Sequence, residues 1–510
     1  MLQYLSKIAE RLVILFILII IIELIDFSNS EAASLFAGVA KINITKDKPT
    51  ALVNDPMYVK ALVLDDEKTK AVIITIDIGG VQHKFLSEVR NRIQKELKIE
   101  GNNVLINSSH NHHVNDQLAE DYIDRTVKAV EKASQNMVPV KIGAVTGHED
   151  RITMNRRLKL KNGKEWTIRR AIPCPQDEEV VDIAEPFDPE IGILRIDRMD
   201  GKPLAVLYNF AGHAYGGVPN KGTTACFPGF ASKTIEDNLG NGAVALFLQG
   251  AAGDITPILY KDVNAPRPAE ALGTMLGLST LEALKNIPMK EKGSLNVIRE
   301  DITFAVRTDI PERIDSLEAQ KKLVLDYFRG VGCGAHGAGT SLNFKTFLPL
   351  YIKYIISPEF PTYYSYRYLQ EKKIGENDLE MLDSDNRRDV EKYLSNIYKM
   401  EELIKIEANL QLLREAVPKT PFMTEILGVK IGDFVLITFP GEVFAQVGLN
   451  IKKLSPYEHT FISGYSNGSV GYAPTSDAYD GEAYEVSGSR LDPEWQKFYE
   501  EKALEIINKL

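Results

Sequence analysis

The sequence predicts an α/β protein, a mixed-sheet layered domain that carries a helical insertion. Three observations predict it. Between residues 35 and about 290, short apolar runs of strand character alternate with segments of helical period, the pattern of layered α/β folds. Between about 309 and 418 the character changes to long, helical, charge-rich segments. Strand patterns then return at 426–439 and 460–462.

The elements follow in order. Lys7 and Arg11 precede an unbroken apolar run from Leu12 to Ile22, and Ser30, Ala32 and Ala33 supply small residues after it. That run suits the core of a signal peptide and is short for a membrane span. Residues 1–33 are therefore expected to export the chain, cleaved near Ala32, or to stay as a signal anchor, since the apolar stretch nearly extends to Phe27. Either way the protein is expected to be secreted or held at the cell surface. Residues 34–510 are expected to form the folded domain. Amphipathic helices are predicted at 84–97, 117–135 and 268–286. Residues 314–328 and 386–416 are the helical parts of the insertion, and a last helix runs from about Pro493 to Leu510.

Composition narrows the function. A chain of 510 residues, 44% hydrophobic and 25% charged, is an ordinary globular protein with a large core. Its net charge of −10 and the lack of a long Lys/Arg run speak against nucleic acid as a partner. Cys174, Cys226 and Cys333 allow one disulfide at most and form no CxxC pair, which argues against a thiolate metal cluster. The glycine-rich stretch 330–339 lacks the Gly-Lys-Ser/Thr of a phosphate loop and reads as a hinge. Residues 344–368 hold nine aromatics, including Phe347, Tyr351, Tyr354, Phe360 and Tyr364. Two readings stand for them: packing within the insertion, which is preferred, or a lid that touches a membrane surface.

The chemistry gathers where apolar strands run into turns. Asn103-Val104-Leu105-Ile106 leads into Asn107-Ser108-Ser109-His110-Asn111-His112-His113. Neutral imidazoles are metal ligands and carbonyl polarisers, although a His-rich polar loop is the plain alternative. Leu204–Phe210 runs into Ala211-Gly212-His213, Val435–Phe439 into Pro440-Gly441-Glu442, and Val244–Leu248 into Gln249-Gly250-Ala251-Ala252-Gly253-Asp254. Alone, His213 reads as a hydrogen-bonded structural histidine and the Pro-Gly-Glu segment as a turn. Together they favour one site at strand ends.

With these motifs in this order, the chain resembles the neutral/alkaline, non-lysosomal ceramidases, specifically their zinc-dependent N-terminal catalytic domain. It looks closest to short bacterial members. The resemblance covers about 37–486 and includes residues 56–66, 77–81, Phe227-Pro228-Gly229-Phe230-Ala231 and Ser466-Asn467-Gly468 before Tyr472. It implies one zinc per chain, held by His110, His213, Glu442 and Tyr472. It implies that His112 contacts the substrate carbonyl, that Arg156 of Met154-Asn155-Arg156-Arg157 is a further donor, and that Tyr484 lies over the substrate amide. The reaction so implied is hydrolysis of N-acyl amide bonds of ceramide-like lipids, with attack by zinc-bound hydroxide. Tyrosine is an unusual zinc ligand, and only a neighbouring dication favours its ionised form.

The departures bear on specificity. Gly253-Asp254-Ile255-Thr256-Pro257 places threonine where ceramidases carry serine, and threonine is stiff at χ1 and a weak nucleophile without a base. Thr256 is therefore expected to position rather than attack. Asn111 and His113 replace small hydroxyl residues, and Cys226 replaces an acidic one. A metal-dependent esterase or amidase on another small substrate, and a non-catalytic zinc-retaining binding protein, remain as alternatives. The separate C-terminal domain of full-length ceramidases is expected to have no counterpart here.

Overall fold

The computed structural model describes residues 34–510 except 164, 169–178, 184–185, 219, 258–267, 330–338, 357–369, 371–372, 376–377, 418–419 and 482. Residues 1–33, for which an export role is expected, most of the glycine-rich stretch 330–339, Cys174, Cys333, Phe360 and Tyr364 lie outside the described residues.

Two sheets face each other between layers of helix. The larger has eight strands in the order Val244–Gln249, Pro203–Phe210, Glu190–Arg198, Val138–His148, Phe36–Asn43, Tyr58–Asp65, Lys70–Ile76, Val104–Ser108. The smaller has four, in the order Leu295–Phe304, Phe422–Ile431, Phe434–Thr438, His459–Ser463. Leu62, Leu64, Ile73, Leu105, Leu194 and Leu207 of the first meet Leu427, Val429, Phe434, Leu436 and Phe461 of the second in one buried cluster. Gly192 is required there, because a Cβ would come within 2.4 Å of the Phe461 ring. The outer face of the large sheet is covered by the helices His83–Arg92 and Tyr122–Gln135 on one half and Cys226–Leu239 and Ala269–Ala283 on the other. The small sheet is covered by Ala445–Leu454 and Trp495–Lys509. Covering on both faces explains why Tyr58–Asp65 and Lys70–Ile76 are near-continuous apolar runs rather than alternating ones.

Within these two sheets most strand pairs are antiparallel, but three are parallel: Lys70–Ile76 with Val104–Ser108, Pro203–Phe210 with Val244–Gln249, and Phe434–Thr438 with His459–Ser463. A helix crosses between the strands of each pair, as a parallel connection requires: His83–Arg92, Cys226–Leu239 and Ala445–Leu454. The C-terminal ends of these parallel strands are where the histidine, glutamate and Gln249–Asp254 turns begin, so topology gathers them.

Several boundaries differ from expectation. The helix expected over 84–97 turns into a π-helical segment at Ile93–Leu97, and left-handed Lys98 follows it. The helix expected from 117 starts at Tyr122, because Gln117 instead accepts the backbone N–H of Thr50 with its side chain. Residues 426–439 form a hairpin, Phe422–Ile431 with Phe434–Thr438, turning at Gly432 with φ 59°.

In the 309–418 region, the helices Ile310–Arg329 and Asp378–Ala416 pack through Leu317 and Val324 against Leu410 and Leu413. The short helix Tyr484–Gly488 rests against Asp378–Ala416, which places this region beside the site. Helix Phe344–Ile356 divides its apolar residues. Phe347 is buried and stacks on Tyr351 and Tyr393, as packing within the insertion demands. Phe344, Leu348, Ile352, Ile355 and Ile356 form an exposed stripe on one helical face.

Candidate metal centre

His110 follows the strand Val104–Ser108 in a left-handed conformation, φ 56°, which a bulky residue adopts at a cost of about 1–2 kcal/mol. The local structure holds it there. The Ser108 hydroxyl donates to the carbonyl of Ile78 and accepts the N–H of His110. His213 leaves the parallel neighbour of Val244–Gln249 three residues past Phe210. Gln249, the last residue of that strand, ties the two histidine loops together. Its Nε2 donates to the carbonyls of Ser109 and Gly212, the residues just before each histidine, while its Oε1 accepts the N–H of Gly212.

The rings then have fixed tautomers. His110 Nδ1 lies 2.7 Å from the carbonyl of Gly79, and His213 Nδ1 lies 2.9 Å from the carbonyl of Ala252. A carbonyl only accepts, so both Nδ1 atoms carry the proton and a neutral ring turns its Nε2 lone pair inward. The two Nε2 atoms nevertheless face each other at 3.0 Å. Two lone pairs at that distance repel unless a cation lies between them.

Glu442 supplies the anion. Its Oε2 is buried, has no hydrogen-bond partner among the described residues, and lies 3.5 Å from His110 Nε2 and 3.9 Å from His213 Nε2. Burial opposes its ionisation, but His110 and Arg156 hold its pKa below the usual carboxylate value. Zinc–nitrogen distances of 2.0–2.1 Å in a tetrahedron give ligand separations of about 3.3 Å, and the observed spacings straddle that figure. Gly253 is needed for the turn behind it: a Cβ would sit 2.3 Å from the Glu442 carbonyl oxygen.

Tyr472 pairs with Glu442 in the short parallel bridge Glu442–Val443 to Tyr472–Ala473. Its hydroxyl accepts from Arg156 Nη2 at 3.3 Å. Burial first, then Glu442, pushes the phenol pKa well above its ordinary value, so ionisation of Tyr472 requires a cation beside it. Tyr484 stands edge-on to Tyr472 with ring centroids 5.6 Å apart. The structure thus brings His110, His213, Glu442, Tyr472, Arg156 and Tyr484 together.

His112 lies closer to the histidines than a pure substrate contact requires. Its Nε2 is 3.0 Å from His110 Nε2, and the three imidazoles each place a nitrogen within 4.8 Å of the others. One side of the ring reaches solvent beside Tyr215. Desolvation first, and then the neighbouring His110, push its pKa down to about 3, so it is neutral near pH 7. Geometry alone therefore allows His112 as a third nitrogen ligand.

Arg156 is buried and anchored. It donates from Nε to Glu485 at 2.6 Å and from Nη2 to the carbonyl of Gly253 at 2.8 Å. Burial works against its charge, but Glu485 and Tyr472 outweigh it and hold the guanidinium protonated. Thr256 is not brought to the histidines by any hydrogen bond. It is buried in Ile255–Pro257, which pairs with Thr153–Asn155 just before Arg156.

Several contributors had no clear signal in the sequence. Gln249 ties the histidine loops, Glu485 anchors Arg156, and Asn107 gathers Ser463, Gly464, Ser466 and Gln249. Asp254, visible as the acid of its turn, accepts from Asn155 Nδ2 and the N–H of Ala445. Cys226 holds the loop after His213 by accepting the N–H of Gly216 on its sulfur.

No family model matches the chain, and no curated protein matches it. Among solved structures it is similar to a neutral ceramidase from Pseudomonas aeruginosa, with a TM-score of 0.59 and 15% identity over 94% of this chain and 75% of that one. It is equally similar to a ceramidase complexed with C2, with a TM-score of 0.58 and 15% identity over 94% and 76% of the two chains. At the level of the fold, the resemblance read in the sequence holds: the chain has the neutral ceramidase fold.

Proposed function

We propose that this protein is a zinc-dependent hydrolase that cleaves N-acyl amide bonds of ceramide-like lipids. The observation that carries the reading is the pair of imidazole lone pairs facing each other at 3.0 Å beside an unpartnered carboxylate oxygen, within a ceramidase fold. His110, His213, Glu442 and Tyr472 are the residues that would hold one zinc ion. Zinc supplies Lewis acidity there and lowers the pKa of coordinated water to about 7.

The chain's own residues do the rest. His112, neutral and at the solvent side, orients the acyl carbonyl by hydrogen bonding. Arg156 stays charged and aims at negative charge that develops on the acyl oxygen, a role that preorganised buried donors fill best. Tyr484 covers the amide. Thr256 is a positioning residue, since its strand sets the backbone that leads to Arg156. The substrate class implies a lipid surface as partner, which the exposed stripe of Phe344–Ile356 suits. Residues 1–33 are proposed to deliver the chain outside the cell.

Turnover of a fluorescent short-chain ceramide, beside ester and small-amide controls, with and without chelator, tests this. Chelator-sensitive cleavage of the amide supports the reading. Cleavage of esters alone, or turnover indifferent to chelator, contradicts it.

A further inference from the structure

Tyr465 belongs to no motif, yet it sits at the centre of the site. It follows the strand His459–Ser463 in a left-handed conformation, φ 52°, and its backbone joins two of the metal-facing loops. Its N–H donates to the carbonyl of Gly441, the residue before Glu442. Its carbonyl accepts the N–H of Ser108, two residues before His110. An unfavourable backbone conformation at a bulky residue persists where surrounding structure imposes it, and such residues cluster at functional sites.

The side chain goes where the backbone directs it. The ring lies 4.1 Å from the His110 ring, centroid to centroid and inclined by 34°, and 6.4 Å from the ring of His213. Its hydroxyl is buried and has no hydrogen-bond partner among the described residues. Among the described residues Glu442 Oε2, an acceptor, is likewise buried without a hydrogen-bond partner, as are the Ser109 and Thr153 hydroxyls, and Glu442 is the strongest charge acting on the phenol. A buried donor without an acceptor and a buried acceptor without a donor are both costly, and each is what the other lacks.

We propose that the Tyr465 phenol is the hydrogen-bond donor to the Glu442 carboxylate when that carboxylate turns to hold the metal, so that Tyr465 is a positioning residue of the metal centre. Carboxylate ligands are themselves held by hydrogen bonds from an outer layer of residues, and loss of such a partner typically weakens metal binding by about 10–100-fold. The inference rests on the metal reading above, not on the identity of the substrate.

The test is zinc affinity of the full chain by chelator competition, for wild type, Tyr465→Phe, Glu442→Gln and the double variant, with the metal-free unfolding midpoint measured on each. Tyr465→Phe removes only the hydroxyl. The expected result is zinc binding about 10–100-fold weaker than wild type, with a metal-free midpoint equal to or above wild type. In the Glu442→Gln background the same change should have a clearly smaller effect, because the remaining amide oxygen accepts the phenol without the charge that strengthens the hydrogen bond. Affinity of Tyr465→Phe equal to wild type would overturn the proposal while leaving the metal site intact. An equal loss in both backgrounds would also overturn it. Absence of zinc from wild type would remove the metal reading and this inference together.

Discussion

His110 Nε2 and His213 Nε2 face each other at 3.0 Å while both Nδ1 atoms are committed to backbone carbonyls. A cation bound there would relieve the contact, and by favouring the folded chain over the unfolded one it would also stabilise it. Four consequences can be measured.

Gln249 holds both histidine loops through the carbonyls of Ser109 and Gly212. Gln249→Ala leaves two buried carbonyls without their donor and frees the loops to shift. We expect zinc affinity to fall about tenfold, in line with other outer-layer partners of metal ligands. Chelator competition measures it, and an unchanged affinity would show that the strands alone position the histidines.

Glu485 is fully buried, pairs with Arg156 at 2.6 Å and accepts from the Thr167 hydroxyl at 2.7 Å. Glu485→Gln leaves a buried guanidinium without its counter-charge, a change that costs roughly 3 kcal/mol. Turnover should fall at least tenfold with zinc content preserved. Loss of zinc with turnover per bound zinc unchanged would remove Arg156 from the chemistry.

Asp77 accepts the N–H of Tyr58 and is desolvated; burial, opposed by Lys60, raises its pKa from 3.8 to about 6. The folded state keeps this proton between those values while the unfolded state releases it. The Asp77 contribution to stability is therefore fully present below pH 3.8 and is lost as pH rises through about 6. Asp77→Asn removes that loss. Urea midpoints at pH 4 and pH 6.5 should show the variant gaining on wild type at the higher pH, and a pH-independent difference would refute the assignment.

Phe344, Leu348, Ile352, Ile355 and Ile356 expose one apolar face of a helix that also carries Lys345 and Lys353 and no acidic residue. Such a face suits an anionic lipid surface. Ile352→Asp with Ile355→Asp should abolish binding to vesicles containing phosphatidylglycerol and leave hydrolysis of a soluble amide unchanged. Vesicle binding that survives the double substitution would place any membrane contact elsewhere.

Much of the candidate site was legible in the sequence because the residues proposed as ligands stand at strand ends within short motifs. Val104–Ser108 before His110, and Phe434–Thr438 before Pro440-Gly441-Glu442, announce themselves by apolar runs stopped by turn residues. What could not be read are relationships set by sheet order. Arg156 and Glu485 are 329 positions apart and meet where Arg156 also donates to the carbonyl of Gly253. Gln249 reads as a polar residue ending an apolar strand until Val244–Gln249 takes its place beside Pro203–Phe210. Tyr465 is invisible for a different reason: nothing local predicts a left-handed tyrosine. The double role of 344–356, one face packed and one exposed, likewise depends on which face Tyr393 covers.

The measurement that bears most directly on the account is the zinc content of the purified full chain, wild type beside His110→Ala and His112→Ala. The account predicts one zinc per wild-type chain, none after His110→Ala, and retention after His112→Ala with turnover lost. A wild-type chain without zinc, or zinc that survives His110→Ala, would contradict the metal centre. Zinc lost with His112 would make that residue a ligand instead of the group that orients the carbonyl.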